Sequence, residues 1–285
     1  MEKLRIAVQK SGRLSEKSLA LLNEAGISLT NGERRLISLS SNFPVEILYL
    51  RDDDIPGYVA DKVADIGLVG ENVVLEKPFN VRLVHKLGFA KCRLSLAIPK
   101  NEVYESLQWF SGKKIATSYP VILDAFLTVN KILADIHQIS GSVEIAPGIG
   151  LADAIFDIVS SGSTLISNGL KEVETVMKSE AVIIAHNELS DLQSLILENI
   201  VFRIKAVQKA KTNKYILLNA PNKNLGKIIS IIPGMKSPTI MPLATEGWSS
   251  VHSVLSEEQF WEIIDQLKDL GAQGILVVPI EKMII

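Results

Sequence analysis

One cysteine, Cys92, stands in 285 residues, so no intrachain disulfide framework is possible and the chain fits a reducing compartment. Charge of neither sign dominates: 30 Lys and Arg against 32 Asp and Glu leave a formal net charge of −2. That balance argues against a dedicated nucleic-acid binder or a membrane-surface protein, both of which usually carry a basic excess. No apolar run reaches the length of a membrane span. The opening residues are charged and run straight into an apolar strand, unlike an export signal, and the expected location is cytoplasmic. There is no G-x-x-x-x-G-K-[ST] phosphate loop, no His-x-x-x-His or paired-cysteine zinc spacing and no Gly-x-Ser-x-Gly elbow. Gly148-Ile-Gly150-Leu-Ala-Asp153 is an incomplete dinucleotide fingerprint. The four histidines are scattered, and Cys92 has no activating base near it in sequence. No residue is assigned as a nucleophile.

What is present is ordinary soluble-protein composition, 47% hydrophobic and 22% charged, in a chain long enough for two or three domains. Leu4 to Val8 predicts a buried strand and Ser15 to Ala25 a helix ended by Gly26. The intervening loop puts Lys10, Ser11, Gly12 and Arg13 at a strand-to-helix junction, the ligand edge of an open α/β sheet. Alone, Lys10 and Arg13 read better as solvated surface charge. Val45 to Leu50 predicts a strand running into Arg51-Asp-Asp-Asp-Ile-Pro-Gly57. Three adjacent carboxylates repel one another unless a cation lies nearby, and one of them, Asp54, suits a helix cap before Pro56.

The most informative stretch is Gly148 to Gly169. Asp153 and Asp157 flank an apolar turn, and the run then empties into Ser160-Ser161-Gly162-Ser163-Thr164 before a helix expected at Leu165 to Leu170. A glycine among hydroxyls lets backbone close around an anion, and a helix N-terminus favours one. A Ser-rich helix cap without a ligand is the alternative. Asp61 to Gly70 aligns on Asp153 to Gly162 without gaps, and Arg5-Ile-Ala resembles Lys114-Ile-Ala. Repeated units of this kind suggest two α/β lobes of similar build facing a cleft. Glu144, expected in a strand Gly141 to Pro147, is a carboxylate in an apolar setting and so a site candidate.

From Lys214 the pattern changes to strand (Lys214 to Leu218), helix (Leu225 to Ile232, closed by Pro233-Gly234), strand (Thr239 to Leu243), strand (Trp248 to Leu255), helix (Ser256 to Leu270) and strand (Gly274 to Val278). That βαββαβ order is ferredoxin-like. The overall fold class expected is α/β: a two-lobed core of periplasmic-binding-protein type plus a C-terminal ferredoxin-like domain. The expected divisions are 1–91 with 180–210 for lobe I, 92–179 for lobe II and 211–285 for the last domain.

These residues resemble the ATP phosphoribosyltransferases of histidine biosynthesis, in their long, self-regulating form. The resemblance spans essentially the whole chain. It is carried by Ile6-Ala-Val-Gln-Lys10-Ser-Gly-Arg13, Arg51 to Gly57, Asp65-Ile-Gly-Leu-Val-Gly-Glu-Asn72, Cys92-Arg-Leu-Ser-Leu-Ala97, Ile115 to Pro120, Gly141-Ser-Val-Glu144, Gly150 to Thr164, Pro238-Thr239 and Pro279 to Lys282. It implies transfer of phosphoribosyl from phosphoribosyl pyrophosphate to N1 of the adenine of ATP, with magnesium and with release of pyrophosphate. On the matching motifs, Asp153, Ala154, Asp157, Ser160, Ser161, Gly162, Ser163 and Thr164 are expected to bind phosphoribosyl pyrophosphate. Lys10, Ser11, Gly12, Arg13, Arg51 and Glu71 are expected to contact ATP or pyrophosphate, with Asp153 and Glu144 toward the metal. The resemblance further implies feedback by histidine near Met235, Thr239 and Gly274, and assembly into dimers and hexamers. Asn219 stands where some relatives have an acidic residue. Two lobes around a cleft equally describe solute-binding proteins, which usually carry an export signal and no βαββαβ tail.

Overall fold

A computed structural model describes residues 3–29, 36–232 and 234–284. It divides into two compact units, Met1–Ala20 with Ile27–Leu197, and Leu21–Gly26 with Glu198–Ile285.

The first unit opens with β1 (Leu4–Gln9), whose Leu4, Ile6, Ala7 and Val8 are wholly buried. A near-continuous apolar run is what a strand covered on both faces requires. α1 (Arg13–Glu24) follows and stops at Gly26, in left-handed conformation at φ +77°. Then come β2 (Ile37–Leu39), β3 (Val45–Leu50), α2 (Ile55–Ala60) with Pro56 in its first turn, β4 (Ile66–Gly70), α3 (Glu71–Glu76) and β5 (Val81–Lys86). The chain crosses into a second lobe with β6 (Cys92–Pro99), β7 (Lys114–Thr117), α4 (Pro120–Val129), β8 (Asp135–Gln138), β9 (Ala154–Val159), α5 (Ser163–Ser167) and β10 (Leu170–Ser179). It returns with β11 (Ala181–His186), buried along its full length, and α6 (Asp191–Lys211). The lobe I sheet runs β2-β3-β1-β4-β11-β5, and the lobe II sheet β10-β6-β9-β7-β8. In lobe II, Leu94, Leu96, Ile98 and Phe156 pack one face, and Ala97, Ile155 and Val159 the other.

Several expected elements differ. Gly141 to Pro147 is not a strand: Gly141 (φ +80°) and Ser142 (φ +50°) are left-handed and turn the chain into a 3₁₀ turn at Val143–Ile145 that holds Glu144. The helix expected at Leu165 to Leu170 is α5, which begins at Ser163, while Leu170 opens β10. The repeated unit is present in a shifted register. Asp153 N–H donates to the carbonyl of Lys114, and the Asp153 carboxylate accepts from Lys114 N–H at 2.8 Å. Asp65 treats Arg5 in the same way, accepting from its N–H at 2.6 Å. The equivalent of Asp153 is therefore Asp65, not Asp61.

α6 starts with reciprocal capping between Ser190 and Gln193. The division between compact units falls inside it, at Leu197/Glu198. The reason lies in its second half, where Arg203 donates to the carbonyl of Ala25 and Lys211 pairs with Glu24 at 2.6 Å. Ile200, Ile204 and Val207 are buried there, whereas Phe202 is exposed.

The second unit continues with β12 (Asn213–Pro221), α7 (Leu225–Ile231), β13 (Thr239–Pro242), β14 (Trp248–Ser256), α8 (Glu257–Asp269) and β15 (Gln273–Pro279). This is the βαββαβ order, in an antiparallel sheet β13-β14-β12-β15. Ser256 and Gln259 form a capping box at the start of α8. Ile216, Leu218, Val251 and Leu255 pack against Ile228, Phe260 and Leu267 from the two helices. Pro233, expected to close α7, lies outside the described residues. No helix among the described residues is long and apolar enough to cross a membrane.

Candidate active site

The carboxyl end of β9 feeds the turn Ser160–Thr164, with Gly162 at φ +81° permitting the reversal into α5. The hydroxyls of Ser161 and Ser163 lie 3.0 Å apart. A cavity of about 230 Å³ is lined by Ser160, Ser161, Gly162 and Thr164 together with Asp157 and Glu144. Burial raises the Asp157 carboxyl to about 6; its bond from Ile158 N–H works against that shift, and nearby Glu144 adds to it. Two carboxylates beside a turn of hydroxyls and amides suit a sugar phosphate with its counter-cation.

Asp153 and Ala154 do not join this group. Asp153 precedes β9 and Ser160 follows it, so six strand residues separate them by roughly 20 Å. The Asp153 carboxylate is engaged by Lys114 N–H, and Ala154 is fully buried in the lobe core. The expectation that either touches the ligand of the turn, or that Asp153 shares a metal with Glu144, is corrected by that separation. Among the described residues no group of three or more His, Cys, Asp or Glu is arranged to hold a metal. The donors that fit a magnesium ion are Glu144 and Asp157, a pair suited to an ion whose other ligands are phosphate oxygens and water.

On lobe I, Lys10 to Arg13 and Arg51 are exposed at the carboxyl ends of β1 and β3. The two strands are parallel with Gln9 opposite Leu50, and Lys10 N–H donates to the carbonyl of Leu50, so Lys10 and Arg51 emerge side by side. The cation needed by the three aspartates is Lys77, whose ammonium lies 4.0 Å from the Asp53 carboxylate and donates to its carbonyl. Glu71 turns elsewhere: it pairs with Lys86 at 2.9 Å and lines a separate cavity with Lys91, Cys92 and Glu180. A contact from Glu71 to ATP or pyrophosphate, expected alongside Lys10 and Arg51, would have to compete with that ion pair. Burial pushes the Cys92 thiol up, which suits a structural rather than a nucleophilic cysteine.

A polar cavity of about 530 Å³ opens between the lobes, lined by Asp52, Asp53, Glu76 and Lys77 on one side and by Ser118, Tyr119 and Gln138 to Gly141 on the other. Glu76 and Tyr119, which line it, and Asn72, which bonds to Tyr119, were not legible as site residues. Asn72 Nδ2 donates to Tyr119 Oη at 3.3 Å. The Glu76 carboxylate accepts from Val121 and Ile122 N–H, 3.0 and 3.1 Å away, and so caps α4 of the opposite lobe. Burial, then Asp157, then Asp53 and Asp52 raise the Tyr119 phenol well above its usual range, keeping it protonated; Asn72 moderates the shift.

In the second unit the three residues expected to form a regulatory site do not meet within one chain. Thr239 begins edge strand β13, and Gly274 lies in β15 at the opposite edge, its φ of +58° set beside Asn219. Two strands lie between, a span of roughly 14 Å. Met235 is exposed on the approach to β13.

The family model described as ATP phosphoribosyltransferase matches residues 51–206, and that described as HisG, C-terminal domain, matches residues 210–282. An ATP phosphoribosyltransferase of Bacteroides thetaiotaomicron is 62% identical over 282 residues, covering 99% of this chain and 100% of that one. Relatives of the same name from Azobacteroides pseudotrichonymphae and Cytophaga hutchinsonii are 63% and 58% identical, again across 99% of this chain, with 100% and 98% of their own lengths covered. Among solved structures, the ATP phosphoribosyl transferase (HisG:HisZ) complex of Thermotoga maritima aligns with a TM-score of 0.60 at 27% identity, over 71% of this chain and 98% of that one. A solved protein bound to L-arginine aligns with a TM-score of 0.50 at 15% identity, over 74% and 86%, a likeness of fold alone.

Proposed function

The chain belongs to the ATP phosphoribosyltransferase family, in its long form with a C-terminal domain, and from that premise we propose how its residues divide the work. The activity is transfer of the phosphoribosyl group of phosphoribosyl pyrophosphate to N1 of ATP, the first step of histidine biosynthesis. The bond from the anomeric carbon to pyrophosphate breaks as the bond to N1 forms, and the electron pair leaves with pyrophosphate. Positive charge builds on the ribose during that exchange. Orientation of the two substrates and stabilisation of charge therefore carry the rate, without a side-chain nucleophile.

In this reading, Ser160 to Thr164 hold the 5-phosphate, and Asp157 and Glu144 face the ribose hydroxyls and magnesium. Magnesium, when bound, would neutralise charge on the departing pyrophosphate. ATP would occupy the cavity between the lobes beside Tyr119, with Lys10, Arg13 and Arg51 reaching its phosphates or the pyrophosphate. The observation that carries the assignment is the single cavity holding the hydroxyl turn together with Asp157 and Glu144. The test follows adduct formation by ultraviolet absorbance with ATP, phosphoribosyl pyrophosphate and magnesium, pyrophosphate being removed enzymatically. Loss of adduct in the Ser161→Ala/Thr164→Val variant, with recovery at high phosphoribosyl pyrophosphate, supports the turn; wild-type behaviour removes it from the site.

Feedback by histidine belongs to the second unit in the same proposal. Because Thr239 and Gly274 lie on opposite edges of one sheet, a common site would need a second copy of the chain to bring such edges together, which favours a homo-oligomer, a dimer or hexamer. Insensitivity to millimolar histidine in the assembled protein would end this part. A cytoplasmic location accords with the biosynthetic role.

A further inference from the structure

β6 lies against β9 with Arg93 opposite Val159, the last strand residue before the hydroxyl turn. Arg93 Nε and Nη2 donate to the two carboxylate oxygens of Glu172 on β10. Its remaining terminal nitrogen, Nη1, donates to the carbonyl of Ser160 at 3.1 Å. Glu172 is held in turn: its Oε1 also accepts from Ser95 Oγ at 2.7 Å and from Thr175 Oγ1 at 3.2 Å. An unbroken strand would point residues 172 and 175 to opposite faces, but the register of β10 shifts between Glu172 and Glu174. This bulge leaves Glu172 opposite Ala97 and Thr175 opposite Ser95, on the face that carries Arg93. Arg93, with Ser95 and Thr175 beside it, holds the Glu172 carboxyl down at about 2, so the pair stays ionised. A guanidinium clamped through two of its nitrogens has little freedom left for the third.

We propose that Arg93 is a positioning residue for phosphoribosyl pyrophosphate, setting the turn Ser160–Thr164 through the Ser160 carbonyl while Glu172 fixes its own orientation. A peptide group is planar and trans, so turning the Ser160 carbonyl toward Arg93 points the Ser161 N–H the opposite way. One anchored oxygen thus fixes the direction of the first amide of the turn. The inference rests on the reading of that turn as the phosphoribosyl pyrophosphate site.

The experiment measures steady-state KM for each substrate, kcat and Tm of the full chain as Arg93→Lys, Glu172→Ala and their double variant, with Ser161→Ala/Thr164→Val as the control for the turn. Arg93→Lys and Glu172→Ala are each expected to raise KM for phosphoribosyl pyrophosphate about ten-fold, because small misplacements of a binding group are costly. KM for ATP should stay within about two-fold, and the double variant should be no worse than the poorer single one, since both act through one chain of contacts. If Arg93 instead gripped the phosphate directly, freeing it in Glu172→Ala would lower that KM and lysine would largely replace arginine; either result overturns the proposal. An equal rise in both KM values marks a general structural role and also overturns it. A control that leaves KM unchanged refutes the reading of the turn. A control that raises KM while Arg93→Lys does not refutes Arg93 alone. Should Glu172→Ala melt below the assay temperature, Arg93→Lys decides.

Discussion

Asn72, on the first lobe, donates its side-chain amide to the phenolic oxygen of Tyr119, on the second, 3.3 Å away. Asn72 is almost wholly buried, and its other groups are committed to Ser179: its N–H donates to Ser179 Oγ at 3.0 Å and its Oδ1 accepts from the same hydroxyl at 2.9 Å. Ser179 ends β10, where the chain returns from one lobe to the other. A single amide therefore ties the return crossing to the mouth of the cleft.

Tyr119→Phe removes one acceptor from that network, at a cost of about 1 kcal/mol. Asn72→Ala should cost more, about 2 kcal/mol, because the buried Ser179 hydroxyl loses its acceptor Oδ1 and Tyr119 loses its donor Nδ2, while the backbone N–H of residue 72 still donates to Ser179. Calorimetric melting should show Asn72→Ala below Tyr119→Phe, and both below the parent by a few degrees, on the order of 2–4 °C per kcal/mol.

Gly162→Ala tests the left-handed bend of the hydroxyl turn. A Cβ there would meet only Val159 Cγ1, at 3.9 Å, so crowding is not the obstacle; the φ of +81° is. The expected cost is about 1–2 kcal/mol of backbone strain. The turn should relax to relieve it, with kcat/KM for phosphoribosyl pyrophosphate falling about ten-fold in initial-rate measurements.

Asp153→Ala should behave as a stability variant. It leaves Lys114 N–H without its carboxylate, at a cost of about 1 kcal/mol, while KM for phosphoribosyl pyrophosphate stays at the parental value. Asp153→Asn keeps an acceptor and should recover most of the melting temperature. A large KM increase in either variant would return Asp153 to the substrate site.

Asp157 gives a pH dependence of definite sign. Its folded value of about 6 lies above the ordinary 3.8, so its protonated form favours folding: that contribution is full below about 3.8 and is lost as pH rises through about 6. Asp157→Asn, which cannot ionise, should melt several degrees above the parent at pH 7.5 and level with it at pH 3.5. Its activity should fall at pH 7.5, where the parent carboxylate is ionised and suited to magnesium or ribose hydroxyls, and the difference from the parent should close as pH falls below about 3.8, where both side chains are neutral. Melting curves and initial rates across this range check both halves.

The polar turn after β9 and the βαββαβ tail were legible because each rests on local chemistry: Gly162 among hydroxyls, and Ser256 ahead of Glu257 and Glu258; β9 itself is a strand where the sequence reads as an apolar turn between Asp153 and Asp157. The repeat was legible in kind and misread in register. Aspartates recur at Asp61, Asp65, Asp153 and Asp157, and only the pairing of Asp65 with Arg5 and of Asp153 with Lys114 reveals which are equivalent. Asp153 itself entered the expected site through its place in the stretch Gly150 to Thr164, where closeness in sequence hides the length of the intervening strand. Asn72, Glu76 and Tyr119 carry no local mark of a cleft, since their partners come from the other lobe. Glu71 has the right position in sequence, but Lys86 claims it. The distance between Thr239 and Gly274 follows from strand order, which periodicity does not encode.

Strand order also dictates when the first sheet can be finished. β11 lies between β4 and β5, so β5 pairs with nothing in that sheet until residues 181–186 exist. The second lobe, by contrast, is one uninterrupted segment whose five strands are complete at Ser179. During synthesis the inserted lobe thus has all its strands first, while the sheet that began the chain waits with a vacant slot between two strands. Closing that slot is a long-range event, the kind that sets a slow folding rate. The last strand into the sheet joins both sides of the gap and is the strand that follows the return crossing at Ser179.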